Sequence, residues 1–115
     1  MNKRPSITTA DQRQSIRYAC ILDATCEGKT RHFGIGWVAR VVNISTGGLG
    51  MHLGEKFAAG TILTVVIHGP GEAQVAGKVR VIHCSEQADG TWSVGAAFLA
   101  PLSEVELDRL LSPDV

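Results

Sequence analysis

The 115-residue chain has no net charge, no apolar run near the ~18–20 residues that cross a bilayer, and six aromatic side chains in all. Each shortage excludes something. Eleven basic residues against eleven acidic ones are not the strongly basic footprint of a protein that tracks DNA or RNA, and six aromatics are few for a base-stacking platform. Neither DNA nor RNA is expected as a partner. Without a long apolar stretch or a signal-peptide pattern behind Met1, the expectation is a cytoplasmic protein with no membrane insertion. Three cysteines, Cys20, Cys26 and Cys84, make no paired framework, which fits a reducing compartment. His32, His52, His68 and His83 show no metal-ligand spacing, and Cys20 and Cys26 lack the second pair of a zinc site. No paired carboxylates or Ser-His-Asp order suggests hydrolysis, and His83 and Cys84, as strand neighbours, point to opposite faces. The chain is therefore expected to be no enzyme and to need no metal or catalytic cofactor.

What is present is one domain's worth of chain, enough to bury roughly two-thirds of its unfolded surface. Its charge is unevenly spread. Residues 1–40 hold seven basic and three acidic side chains, and the remaining 75 hold four basic and eight acidic. A local anion site near the N-terminal third is electrostatically reasonable, and a polyanion track is not.

Residues 1–16 are mostly polar, have no sustained apolar period, and read as a flexible arm ahead of a folded domain at 17–115. From Arg17 the texture turns to period-two alternation. A strand is expected around 17–26, pairing as a hairpin with "FGIGWVARVVN", where Gly34 and Gly36 suggest a bulge or close backbone approach. "GLGMHL" (48–53), "TILTVVIH" (61–68), "AQVAGKVRVIHC" and "TWSVGAAFL" supply further strands, with turns at "GPGE" and "QADG". In the fifth strand Val75, Gly77, Val79, Val81 and His83 alternate against Ala76, Lys78, Arg80, Ile82 and Cys84. Trp37 and Trp92 fall in strands, as core or barrel-edge aromatics. The chain then changes period. Ser103 with Glu106 forms a capping-box pattern, Leu107, Leu110 and Leu111 share a helix face, and Pro113 stops a helix of about 103–112. The expected fold is mostly β: six antiparallel strands closing into a barrel, with a short C-terminal helix over an open end.

Two short stretches remain. "RQSIR" sets Arg13 and Arg17 four apart, and "NISTGGLG" sets Asn43, Ser45, Gly47 and Gly48 at a turn between strands, where the glycines permit positive φ and close approach. Singly, each has a plain structural reading, a solvated surface pair and a connecting turn. An i, i+4 pair of like charges slightly destabilises a helix, so that pair needs some other reason to exist.

Together, in this order and ahead of this strand pattern, Arg-x-x-x-Arg and Asn-x-Ser-x-x-Gly resemble the PilZ domain family. "KVRVIH" and "SVGAAFL" look like its later strands, and the final helix lies where the family carries one. The resemblance implies a six-stranded PilZ-type β-barrel that holds cyclic di-GMP against its outside. It also implies ligand roles for Arg13 and Arg17, which would bind phosphodiester oxygens or the O6 and N7 edge of guanine. Asn43 and Ser45 would offer oxygens to guanine N–H donors, and Gly47 and Gly48 would let the base lie close to the backbone. Gln12 stands where many members have a basic residue, beside the ligand's second face, and so bears on whether one or two nucleotides bind. Asn43 stands where aspartate is frequent; it keeps the acceptor and loses the charge.

The expectation is a receptor whose arm closes over cyclic di-GMP and alters contact with a downstream protein partner in motility, biofilm, exopolysaccharide or virulence control. The alternative is a PilZ-like interaction module that does not use nucleotide.

Overall fold

The alternating stretches become strands because each puts one apolar set inward and one polar set outward. A computed structural model describes residues 16–28 and 35–112. In chain order these form β1 (Tyr18–Gly28), β2 (Ile35–Ile44), β3 (Gly48–Leu53), β4 (Ile62–His68), β5 (Gln74–Glu86), β6 (Trp92–Phe98) and the helix α1 (Glu104–Leu111). Pairing is antiparallel throughout, in the closed order β1-β2-β3-β6-β5-β4, and β1 with β4 completes the circle. Closure leaves no strand edge of the barrel open to a foreign chain.

Inside, Val41, Ile44, Leu49, Met51, Leu63 and Val65 are wholly buried. Each contributes roughly 1.5–3 kcal/mol from burial, before the entropy of ordering it is set against the gain. Cys26 belongs to this interior, its thiol 3.6 Å from the Met51 sulfur, and burial pushes its pKa up to about 11. Burial also raises Cys20. These are packing thiols, protonated at neutral pH.

Register shifts interrupt β1 between Ala19 and Leu22, β2 between Val41 and Asn43, and β5 between Val81 and His83. Two expectations change as a result. Gly36 pairs regularly with Glu27, so the bulges lie elsewhere among the described residues, and Gly34 falls outside them. In β5 the extra residue breaks the alternation: His83, expected on the same face as Val79 and Val81, is exposed, while half-buried Cys84 packs against the core. A single inserted residue reverses every later side chain.

Helix α1 starts with a complete capping box. The Ser103 hydroxyl accepts from the Glu106 amide at 3.0 Å and the Glu106 carboxylate accepts from the Ser103 amide at 2.9 Å. Leu107 and Leu110 are buried, and a Cβ at Gly69 would stand 3.1 Å from Leu110 Cα, so the helix rests on the β4–β5 turn. It thereby covers one end of the barrel. No helix among the described residues is long and apolar enough to cross a membrane, and no cluster of three potential metal ligands occurs among them.

Candidate functional site

The end of β2 and its turn into β3 hold the Asn-x-Ser-x-x-Gly residues, and hydrogen bonds fix the turn from both sides. Ser45 is 1% exposed. Its oxygen accepts from the amides of Gly47 (3.2 Å) and Gly48 (3.1 Å), its hydroxyl donates to the Gly48 carbonyl (3.3 Å), and its own amide donates to the same carbonyl at 2.8 Å. The Gly47 carbonyl accepts from Phe98 and the Thr46 carbonyl from Leu102, both at 2.9 Å, which ties the turn to the exit of β6 and the approach to α1.

These bonds give Ser45 and the two glycines a part in the turn itself. Ser45 spends its hydroxyl on the turn rather than presenting it outward. Gly48 is buried, and a Cβ there would stand 2.5 Å from the Ala96 carbonyl oxygen, so β6 itself demands the glycine. Neither Gly47 nor Gly48 adopts positive φ; Gly60, Gly71 and Gly90 do.

Asn43, by contrast, faces out. The β2 bulge turns it away from the interior after buried Val41, and its amide lies over Gly50, its partner on β3. A Cβ at Gly50 would stand 2.7 Å from Asn43 Nδ2 and 3.1 Å from Oδ1, so the missing side chain is what makes room for the amide. Arg17, at the entry to β1 and exposed, donates from Nη1 to Asn43 Oδ1 at 2.6 Å. Pairing of Ala19 with Asn43 brings these two motif residues together across 26 positions of sequence. Arg13 and Gln12 lie outside the described residues.

The strands beside Asn43 carry small residues in two adjoining rows. On β3, buried Leu49 and Met51 point inward and Gly48 and Gly50 alternate with them, Gly48 itself covered by β6 backbone; paired with them on β6 stand Ala97 and Gly95. Gly50 and Gly95 were not singled out from the sequence. The signal was present as small residues two apart in "GLG" and "GAA", but strand glycine also marks bulges and weak strands.

A cavity of about 160 Å³ lies next to the turn, lined by Ile16, Tyr18, Thr46, Glu104 and Leu107. Another, of about 580 Å³, opens at the far end of β1 and β2 around Gly28, Trp37, Phe57 and Leu63. There Trp37 and Phe57 meet edge to face at 5.1 Å, which makes Trp37 a barrel-edge aromatic. None of the motif residues among the described residues borders that cavity.

A six-stranded closed barrel with an arginine at its entry bonded to an Asn-x-Ser-x-x-Gly turn defines a barrel of a recognisable class. The PilZ domain model matches residues 11–112, and the chain belongs to that family. Two solved structures share the fold. The inhibitor of motility MotI (DgrA) of Bacillus subtilis superposes with a TM-score of 0.65 at 19% identity, over 85% of this chain and 47% of that one. The PilZ domain of YcgR from Escherichia coli, solved with cyclic di-GMP, superposes with a TM-score of 0.61 at 18% identity, over 82% of each chain. This chain thus spans about half the length of MotI. No curated protein sequence matches it.

Proposed function

We propose that this protein is a cyclic di-GMP receptor, with Arg17 and Asn43 at the centre of its nucleotide site and Arg13 completing the arginine pair. The observation that carries the reading is the 2.6 Å bond from Arg17 to Asn43 at the rim of a wall of glycine and alanine. A guanidinium matches both chemical features of the ligand, the phosphodiester anion and the O6 and N7 edge of guanine, by paired charge-assisted hydrogen bonds. Asn43 adds an acceptor for guanine N–H groups, and the bare strands let a flat base approach. Ser45, Gly47 and Gly48 serve by holding the turn that aims Asn43, and Gln12 bears on ligand stoichiometry.

In this reading the residues ahead of Arg17 close over the nucleotide, and the new surface meets a downstream protein. The YcgR domain's bound cyclic di-GMP and MotI's inhibition of motility support the ligand and a motility-related output.

Calorimetric titration with cyclic di-GMP, with GMP and cyclic di-AMP as controls, tests the reading. Micromolar or tighter binding selective for the guanine dinucleotide is expected. Arg17→Ala should weaken it about 30- to 150-fold, the equivalent of roughly 2–3 kcal/mol for a charge-assisted contact, without lowering the thermal midpoint. No heat with the wild-type protein would favour an interaction module that does not use nucleotide.

A further inference from the structure

Strand β5 mirrors what β2 does on the other side of the bare wall. Both carry a register shift directly before an outward-turned polar side chain: Val41 to Asn43 in β2, Val81 to His83 in β5. Both of those side chains then fold over a glycine of the neighbouring strand. The His83 imidazole covers Gly95, with Nε2 nearest, Cε1 2.7 Å and Cδ2 3.0 Å from where a Cβ at that position would stand. The two glycines pair with each other, so Asn43, Gly50, Gly95 and His83 form one row across β2, β3, β6 and β5. Without the bulge, His83 would follow buried Val79 and Val81 into the core.

The next outward row repeats the arrangement with a charge. Gly48 pairs with Ala97, and Ala97 with Arg80, which is exposed. On its other flank Arg80 pairs with Ile62, and the ion pair found among the described residues is Arg40 with Asp23, elsewhere on the barrel. A cation set between an alanine and an isoleucine beside a bare wall has no carboxylate within the described residues to neutralise it. The wall is therefore two-sided. Arg17 and Asn43 border it on one side, and Arg80 and His83 on the other, each side offering one guanidinium and one flat polar group. The strands from β2 to β5 span three inter-strand gaps, about 14 Å. Cyclic di-GMP has two equivalent halves, each a purine and a phosphodiester, and a two-sided wall matches that symmetry.

We propose that β5 supplies the second side of the nucleotide site: the outer face of the His83 ring stacks on one base and the Arg80 guanidinium binds a phosphodiester oxygen. This rests on the receptor reading and assigns residues to it that lie outside both sequence motifs. Stacking on a side-chain ring and a charge-assisted phosphate contact are each large enough to detect by truncation.

The test is calorimetric titration of cyclic di-GMP into wild type, Arg17→Ala, His83→Ala, His83→Phe, Arg80→Ala and Arg80→Lys, with thermal unfolding as the check of fold. His83→Ala and Arg80→Ala are expected to weaken binding about tenfold each. His83→Phe should stay within about threefold of wild type because it keeps a stacking face, and Arg80→Lys should recover part of the loss because it keeps the charge. Arg80→Ala should also flatten the dependence of affinity on salt. If wild type binds, Arg17→Ala loses binding and both β5 alanine variants bind like wild type, the β5 side is overturned and the receptor reading stands. Absence of binding by wild type overturns both.

Discussion

The barrel has two outer walls built to the same pleat and dressed in opposite ways. On β1 and β2 the middle outward rows carry full side chains: Thr25 beside Val38, which is 79% exposed, and Asp23 paired with Arg40 at 3.6 Å, with Gly36 outward beyond them. On β3 and β6 the outward positions of the first two rows are Gly48 and Gly50, Ala97 and Gly95, with His52 and Ser93 in the row beyond them. Strand glycine costs about 0.5–1 kcal/mol against alanine, so the second wall, with Gly48, Gly50 and Gly95, forgoes more stability than the first, with Gly36. At Gly48 the fold itself requires the loss, because β6 backbone occupies the place of a side chain. At Gly50 and Gly95 the space is taken by the ends of Asn43 and His83, side chains rather than backbone. Bareness on one wall thus has two causes, and they respond differently to mutation.

Gly48→Ala should have the largest effect on the fold. Its new Cβ would meet a carbonyl oxygen at 2.5 Å, and a backbone within a closed ladder has little room to give. A loss of about 2–3 kcal/mol is expected in urea denaturation, as for other overpacked sites.

The interior beneath the two walls should show no such contrast, since Cys26 of β1 and Met51 of β3 touch across it. The Cys26 thiol is raised from an ordinary 9.0 to about 11, so the unfolded chain loses its proton first as pH rises. Stability from this group is complete below pH 9 and declines between pH 9 and about 11. The decline amounts to about 2 kcal/mol, and denaturation at pH 8 and pH 10.5 should show Cys26→Ala to be less sensitive by that amount.

Gly50→Ala separates the second cause from the first. Asn43 must shift, since Nδ2 would lie 2.7 Å from the new Cβ, and its bond to Arg17 is lost or lengthened. Ligand affinity should fall about tenfold while stability changes by less than about 1 kcal/mol. Val38→Ala, on the dressed wall, should move stability by no more than about 0.5 kcal/mol and leave binding unchanged, as measured by the same two methods.

Much of this architecture was readable before any coordinates. The β3 stretch "GLGMHL" and the Ser103 to Glu106 cap lie where alternation and capping chemistry put them, because both signals are local. The bulges were not legible, since an extra residue in β5 shows only against its partner, and it alone turns His83 outward. The part Ser45 plays in the turn was hidden for a related reason: a turn serine reads as a presented hydroxyl until the amides of Gly47 and Gly48 are seen to bond to it. The glycine row from Gly50 to Gly95 joins strands far apart in sequence, so no window of sequence contains it.

Backbone amide chemical shifts, followed as cyclic di-GMP is added, test most directly that the nucleotide lies on the bare wall. The account predicts saturable shifts at Arg17, Asn43, Gly48, Gly50, Gly95 and Ala97, and none beyond noise at Thr25, Val38 or the Trp37 end of the barrel. Shifts centred on Trp37 and Phe57, or spread over β1 and β2 with the glycine row unmoved, would contradict it.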